Sequence, residues 1–167
     1  MIQQMQTHPF PPVYNESSRI LILGSFPSTA SREAGFYYAH PRNRFWQVIA
    51  AVTGEGVPQT IEQKTALLLR RRIALWDSVA GCNITGSSDS SIRQASPNDI
   101  PGLVAKTQIK RIFCNGKTAY ACYAKAGFPN DLPTAEPLPS TSPANAAWSL
   151  ERLIEAWRVI MDSVSAD

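Results

Sequence analysis

The sequence predicts an α/β fold organised around a central, mostly parallel sheet of four strands. Short runs rich in apolar and β-branched residues alternate with longer helical patterns, an order typical of βαβ units. The 13 prolines fall in clusters between these runs and mark the loops. A chain of 167 residues, 44% of them hydrophobic and 17% charged, has the length and composition of one globular domain. We therefore expect a single domain over residues 1–167, with residues 1–18 as a lead-in segment.

Strand patterns occur in four places. Residues 19–24, 73–76 and 111–114 are short β-rich runs, and residues 131–138 match the pattern less closely. Helical patterns separate these runs, so each connection is long enough for a crossover between parallel strands. In such a sheet, ligands bind outside the carboxyl ends of the strands. The residues that follow each strand are therefore the first candidates for a functional site.

Helical periodicity predicts five helices, over residues 42–52, 61–71, 96–107, 116–126 and 145–164. In the first of them, Phe45 and Trp46 are expected to pack beneath the sheet. The third is expected to start at Ser96 as N-cap, with Pro97 in its first turn and Asp99 at its third position. The last carries an apolar stripe that indicates core packing: Leu150, Leu153, Ile154, Trp157, Ile160, Met161 and Val164.

Charge and cysteine content narrow the functional classes. The net charge of +3 modestly favours a polyanionic partner. Three widely spaced cysteines and two histidines, without a CxxC pair, disfavour both a disulfide framework and a structural zinc site, so no metal is expected. The sequence contains no run of about 18 apolar residues, so a membrane-spanning helix is not expected. The first eight residues lack the pattern of a secretory signal, so a cytoplasmic location is expected.

The loops after the predicted strands are rich in aromatic rings, small hydroxyl residues and carboxamides. They contain no GxSxG, GxxxxGK[ST] or GxGxxG motif, which disfavours a serine hydrolase and the common nucleotide phosphate loops. Stacking on an aromatic face and hydrogen bonds from amides are the contacts that hold a nucleobase. Arg42, Arg44 and Arg93 are available to follow a nucleic-acid backbone.

Residues 23–49, LGSFPSTASREAGFYYAHPRNRFWQVI, resemble the first motif of the uracil-DNA glycosylase superfamily. Residues 113–119, FCNGKTA, resemble the third strand and following helix of that superfamily, and residues 138–144, LPSTSPA, resemble its closing motif. The three motifs occur in the expected order and cover most of the chain. The resemblance implies a three-layer α/β/α fold, a DNA substrate and a monomer.

Departures from the superfamily pattern indicate one branch. Phe26 stands where other branches carry the residue that positions water, and Ser140 replaces a histidine of the closing motif. GSFPS, HPRNRFW and STSPANA together are similar to the hypoxanthine-DNA (deoxyinosine) glycosylases, in which the asparagine of HPRN is catalytic. That resemblance assigns catalysis to Asn43. Three cysteines cannot bind the iron–sulfur cluster of another branch, so no cofactor is expected.

The resemblance also implies roles for other residues. Asn43 would hold the attacking water by accepting a hydrogen bond from it, although an asparagine at this place also suits a helix N-cap. Backbone amides at Ser25 and Phe26 would bind the base carbonyl, and Tyr38 would stack on the base, unless it is a core tyrosine. Asp77 would accept the N1–H of hypoxanthine, or else cap a helix or face solvent in a turn.

The remaining predicted contacts follow from position. Asn115, after the third strand, completes the predicted base-binding set. Eight residues are predicted to contact DNA: Ser28, Arg42, Lys117, Ser140, Ser142, Pro143, Ala144 and Asn145. The segment 140–145 would enter the duplex where the base has left.

The expected activity is that of a monofunctional glycosylase that flips out a deaminated base and hydrolyses its N-glycosidic bond. Hypoxanthine is the expected base, with uracil or xanthine as further substrates. Three alternatives stay open. They are a mismatch-specific uracil or thymine glycosylase, a damaged-DNA-binding module without catalysis, and a general nucleotide-binding or phosphate-binding protein.

Overall fold

The computed structural model describes residues 4–165. Its seven strands are β1 (Gln4–Thr7), β2 (Ile20–Gly24), β3 (Ile73–Asp77), β4 (Val79–Ile84), β5 (Arg93–Pro97), β6 (Arg111–Asn115) and β7 (Thr134–Leu138). Its helices are α1 (Thr29–Ala34), α2 (Phe45–Thr53), α3 (Ile61–Arg70), α4 (Ile100–Ala105), α5 (Lys117–Lys125), α6 (Leu150–Trp157) and α7 (Val159–Ser165). No helix in this described range is both long and apolar enough to span a membrane.

The main sheet has the order β3-β2-β6-β7, and all of its strands run parallel. These are the four predicted strands, which confirms the predicted α/β class. Strand β2 lies inside the sheet and is buried along its whole length. Its side chains alternate, so Ile20 and Ile22 join one apolar cluster while Leu21 and Leu23 join another.

Helices cover both faces of the main sheet and complete three layers. One face packs against α2, α3, α6 and α7 around the buried rings of Phe45 and Trp157. The other face packs against α4 and α5 through Ile100, Leu103 and Ala119. The prediction that Phe45 and Trp46 belong to the core is confirmed, since they are 0% and 6% exposed.

A second, antiparallel sheet with the order β1-β4-β5 was not predicted. Strand β1 comes from the segment expected to be a lead-in. Only one residue, Ser78, separates the end of β3 from the start of β4, so no loop signal in the sequence marks the boundary between the two strands. Strand β5 is exposed throughout, so it lacks the apolar alternation that marks a strand in a sequence.

The predicted helix start at Ser96 is wrong. Ser96 and Pro97 belong to β5, where they pair with Gly81 and Val79 of β4. Helix α4 instead begins after Asp99, whose side chain accepts a hydrogen bond from the Gly102 amide at 3.0 Å. The pairing of β5 with β4 therefore takes the first residues that the predicted helix would have used.

Three further helix boundaries differ from the prediction. Helix α1 was not predicted; Ser28 caps its start and Gly35 ends it with a φ of 75°, a conformation that favours glycine. Helix α2 begins at Phe45 rather than at residue 42. The last predicted helix begins only at Leu150, capped by Ser149, and is interrupted between α6 and α7.

Candidate active site

A cavity of about 720 Å³ lies at the carboxyl edge of the main sheet. Ser25, Asp77 and Asn115 line it from the ends of β2, β3 and β6. Residues 139–149, which we call the closing loop, form another part of its wall. Most of the predicted site residues line this one cavity: Ser25, Phe26, Ser28, Tyr38, Asn43, Asp77, Asn115, Ser140, Ser142, Pro143 and Ala144.

Three of the residues predicted to contact DNA lie outside the cavity. Arg42 is exposed on the turn before α2. Lys117 is exposed and lines a neighbouring groove between β5 and α5. Asn145 donates from Nδ2 to the Ser140 carbonyl at 2.9 Å and so braces the closing loop.

Asn43 is held with its carboxamide oxygen turned towards the protein. Oδ1 accepts from the Phe45 amide at 2.9 Å and from the Thr141 hydroxyl at 2.8 Å. The Phe45 N–H can only donate, so the atom facing it must be the oxygen. Asn43 therefore stabilises the first turn of α2 and lines the cavity at once. In the described part of the chain Nδ2 makes no hydrogen bond, which leaves the amide donors for a ligand.

Thr141 fixes this orientation. It is fully buried, and its hydroxyl accepts from Asn115 Nδ2 at 3.0 Å while donating to Asn43. Its own amide donates to Asn115 Oδ1 at 3.0 Å. The expected acceptor role of Asn43 towards water needs correction for this reason: both lone pairs of Oδ1 are already used. Thr141 was not among the predicted site residues, although it lies within the LPSTSPA motif.

Asp77 lies on the floor of the cavity and is 3% exposed, which excludes a solvent-facing turn residue. Its Oδ2 is 2.7 Å from Nε2 of His8, while Oδ1 makes no hydrogen bond in the described chain. Gly24 is directly adjacent, because a Cβ at that position would lie 2.3 Å from Asp77 Oδ1 and 2.9 Å from the Tyr38 hydroxyl. The lack of a side chain at Gly24 thus lets Asp77 and Tyr38 pack directly against the backbone.

Tyr38 combines a core contact with a place in the cavity wall. Its ring stacks on Phe45 with a centroid distance of 4.1 Å, and its backbone adopts a φ of 53°. The hydroxyl is buried and has no hydrogen-bond partner within residues 4–165. Burial, and then the charge of Asp77, raise the pKa of Tyr38 well above its usual value. The hydroxyl therefore stays protonated and remains a donor.

Ser25 and Phe26, in the loop after β2, make different contacts. The Ser25 hydroxyl donates to Asp89 Oδ1 at 2.7 Å, and partial removal from water raises the pKa of that carboxyl. The Phe26 ring is 6% exposed and packs with Val79, Cys82 and Ile84, while it also lines the cavity.

No cluster of three or more metal-ligating carboxyl, imidazole or thiol groups occurs in the part of the chain that the structure describes.

Arg44 holds the closing loop against the start of α2. Its guanidinium donates to the carbonyls of Ser142 at 3.0 Å, Asn145 at 3.1 Å and Trp148. The hydroxyls of Ser140 and Ser142 accept from loop amides at 3.1 Å each, which leaves their protons for an external acceptor. Pro143 and Ala144 are exposed at the tip. The loop is therefore a braced element with a small apolar tip.

His8 was also missed by sequence reasoning. It precedes the main fold and reaches Asp77 across 69 positions of the sequence, so no local pattern could have indicated the pair. Asp89 was not among the predicted site residues either. Its contact with Ser25 likewise spans 64 positions and depends on the fold.

Comparison with known proteins agrees with the geometry. Residues 11–160 match the family model of the Uracil DNA glycosylase superfamily. A protein of Methanosarcina acetivorans named hypoxanthine DNA glycosylase is 35% identical over 156 residues, which cover 90% of this chain and 95% of that protein. A protein of Methanosarcina barkeri with the same name is 35% identical over 116 residues, covering 68% of this chain and 73% of that protein.

A solved structure supports the same assignment. The solution NMR structure of a candidate uracil DNA glycosylase from M. acetivorans superimposes with a TM-score of 0.79 at 32% identity, covering 98% of this chain and 100% of that one. The predicted resemblance and the predicted fold are both confirmed. With a family model matched along most of its length and relatives similar in sequence and structure, the chain belongs to the uracil DNA glycosylase superfamily.

Proposed function

We propose that this protein is a DNA glycosylase that removes hypoxanthine from deoxyinosine and leaves an abasic site. The observation that carries the proposal is the cavity floor, where Asp77 Oδ1 makes no hydrogen bond in the described chain and lies next to Gly24, with the buried Tyr38 hydroxyl close to the same glycine. Hypoxanthine offers an N1–H donor, which complements the acceptor Asp77 Oδ1. Adenine has no N1–H, so it would leave the buried carboxyl oxygen unpaired.

The reaction is a hydrolysis. The C1′–N9 bond breaks with its electron pair on the base, the oxygen of water bonds to C1′, and one water proton ends on the released hypoxanthine. Positive charge develops on the sugar and negative charge on the base, so the site must stabilise both. Backbone N–H groups at Ser25 and Phe26 would face the base carbonyl, as the resemblance to the superfamily motif implies.

Asn43 would act through its Nδ2 donors. One N–H would hold the attacking water by its oxygen, which leaves the second lone pair of that oxygen directed at C1′. A strong base is not required when the glycosidic bond is largely broken before water attacks. This role follows from the orientation of Asn43 and replaces the acceptor role expected from the sequence.

The surface around the cavity suits a DNA backbone. Arg42 and Lys117 are exposed outside the cavity, and Ser28, Ser140 and Ser142 line its wall. The exposed tip formed by Pro143 and Ala144 would enter the space left by the flipped base, with Asn145 bracing it. We propose a monomer acting in the cytoplasm in contact with DNA.

The test uses end-labelled duplexes carrying one deoxyinosine, deoxyuridine, deoxyxanthosine or mispaired thymine, treated with alkali after incubation to reveal abasic sites. We expect cleavage at deoxyinosine under single-turnover conditions. Cleavage only at uracil or thymine would identify the mismatch-specific alternative. Binding to the deoxyinosine duplex without any abasic product would identify a binding module.

The Thr141 contact predicts a matched pair of variants. Thr141→Val removes the hydroxyl that donates to Asn43 and should slow hypoxanthine release about 10-fold, through the loss of one buried hydrogen bond. Thr141→Ser keeps the hydroxyl and should restore most of the rate. Equal rates for both variants would show that the hydroxyl does not orient Asn43. Thermal unfolding of each variant provides the control for stability.

A further inference from the structure

The buried pair of His8 and Asp77 has a property that the proposed function does not use: it holds one proton between two acceptors. Nδ1 of His8 is 2.8 Å from the Phe10 carbonyl. A carbonyl only accepts, so Nδ1 carries a hydrogen. Nε2 then faces Asp77 Oδ2 at 2.7 Å, and neither atom can bond to the other without a second proton. The pair therefore carries a shared proton.

The shared proton makes the pair neutral as a whole. It is either an imidazolium beside a carboxylate or an imidazole beside a carboxylic acid, and both have zero net charge. Water does not screen the pair, because both side chains are 5% exposed. The rings of Phe10, Phe26 and Tyr37 surround the imidazole, with the Phe10 ring centroid at 4.7 Å. Charge in such a place acts strongly on its neighbours.

Charge matters here because of where Asp77 points. Its second oxygen faces the cavity floor beside Gly24, where the base would lie. A bare carboxylate that accepted the N1–H of a base would push electron density onto that base and oppose its departure as an anion. A neutral pair keeps the acceptor and removes this penalty. The hydrogen bond can then select the base without slowing bond cleavage.

We propose that His8 is a positioning residue of the active site that neutralises Asp77, so that Asp77 can read the N1–H of the departing base at low cost to the rate. The inference rests on the proposed glycosylase function. It makes the segment before β2 part of the active site, although His8 lies 69 positions from Asp77 in the sequence. The shared proton stays within the pair and is not transferred to the product.

The decisive experiment is a double-mutant cycle on hypoxanthine release, measured in single turnover with enzyme in excess. His8→Phe keeps the ring shape and removes the proton; we expect release to slow about 100-fold, as a buried carboxylate loses its partner. Asp77→Asn is neutral and keeps a carbonyl acceptor, since its amide can donate to Nε2. This variant should stay within about 10-fold of the unchanged protein.

The two variants together separate charge from structure. If His8 acts by neutralising Asp77, Asp77→Asn should restore most of the rate lost in His8→Phe, because no carboxylate remains to be neutralised. If His8 only supports packing, the losses should multiply and the double variant should be the slowest. The amide of His8→Gln can donate a hydrogen bond to Asp77 but cannot share a proton with it. This variant should therefore release hypoxanthine slowly, and adding Asp77→Asn should restore most of its rate.

Two controls make the outcome unambiguous. Affinity for a duplex carrying a stable abasic-site analogue should be the same in the unchanged protein and in every variant, since that ligand has no base. Thermal unfolding identifies any variant that fails to fold. Activity of the unchanged protein on deoxyinosine tests the proposed function by itself. If the unchanged protein is inactive, the proposed function is wrong, and this result differs from any result that concerns His8. An active protein whose rate is insensitive to His8→Phe would overturn the role of His8.

Discussion

Asn43→Ala should abolish most hypoxanthine release, with a fall in the single-turnover rate of about 1000-fold, the size expected when a preorganised donor at the reacting centre is lost. The structural reason is that Nδ2 is the part of Asn43 left for the cavity, while Oδ1 is held by Phe45 and Thr141. Removing the side chain removes the donor and also the support for the first turn of α2. Abasic-site formation from a deoxyinosine duplex measures the loss.

Asn43→Asp is the sharper variant. A carboxylate oxygen accepts the same hydrogen bonds from Phe45 and Thr141, so the local structure is retained, but the two N–H donors are replaced by an acceptor. We expect the rate to fall as far as in Asn43→Ala while the unfolding midpoint stays close to that of the unchanged protein. A rate near or above that of the unchanged protein would show instead that the residue acts by accepting a proton from water.

Gly24→Ala should block base binding. The added Cβ would lie 2.3 Å from Asp77 Oδ1 and 2.9 Å from the Tyr38 hydroxyl, so both groups would have to move from the cavity floor. Such overpacking costs about 1–3 kcal/mol of stability. Because Asp77 would bond to the base and Tyr38 packs beside it, their displacement should lower the rate of hypoxanthine release by about 100-fold, in line with the loss of a buried hydrogen bond to a charged group. Single-turnover rates at several enzyme concentrations measure binding and cleavage separately.

Gly56→Ala is the matched control for this substitution. No heavy atom lies within 4 Å of a Cβ at Gly56, and its backbone does not have a positive φ. This variant should keep the full rate and an unchanged or slightly higher unfolding midpoint, since alanine restricts the unfolded chain. A Gly24→Ala protein as active as Gly56→Ala would mean that the base does not approach the floor between Asp77 and Tyr38.

Much of the site could be located from the sequence because its residues follow the buried strands. Apolar runs as regular as residues 20–24 identify a parallel strand, and the topology of such sheets places the next residues at one edge. Ser25, Asp77 and Asn115 meet in the cavity for this reason. The family motifs added Asn43, which no rule of periodicity distinguishes from an ordinary helix cap.

The orientation of the site residues could not be predicted in this way. Asn43 was expected to offer its oxygen, but Thr141 bonds to that oxygen from 98 positions further along the chain. The second sheet was missed because all residues of β5 are exposed, so that its sequence carries no apolar alternation. Its pairing with β4 also displaced the predicted start of α4 from Ser96 to beyond Asp99.

The fold class, the four strands of the main sheet and the sheet edge that carries the candidate site could all be predicted from the sequence. These features depend on local hydrophobic periodicity and turn residues, which act over a few positions. Folding fixed which polar atoms are left for the cavity, namely Nδ2 of Asn43 and Oδ1 of Asp77. The physical reason is that hydrogen bonds to buried partners fix the orientation of a polar side chain. Its other polar atoms then point in whatever direction is left. Those partners, such as His8 for Asp77, lie 69 positions away and are brought close only by folding.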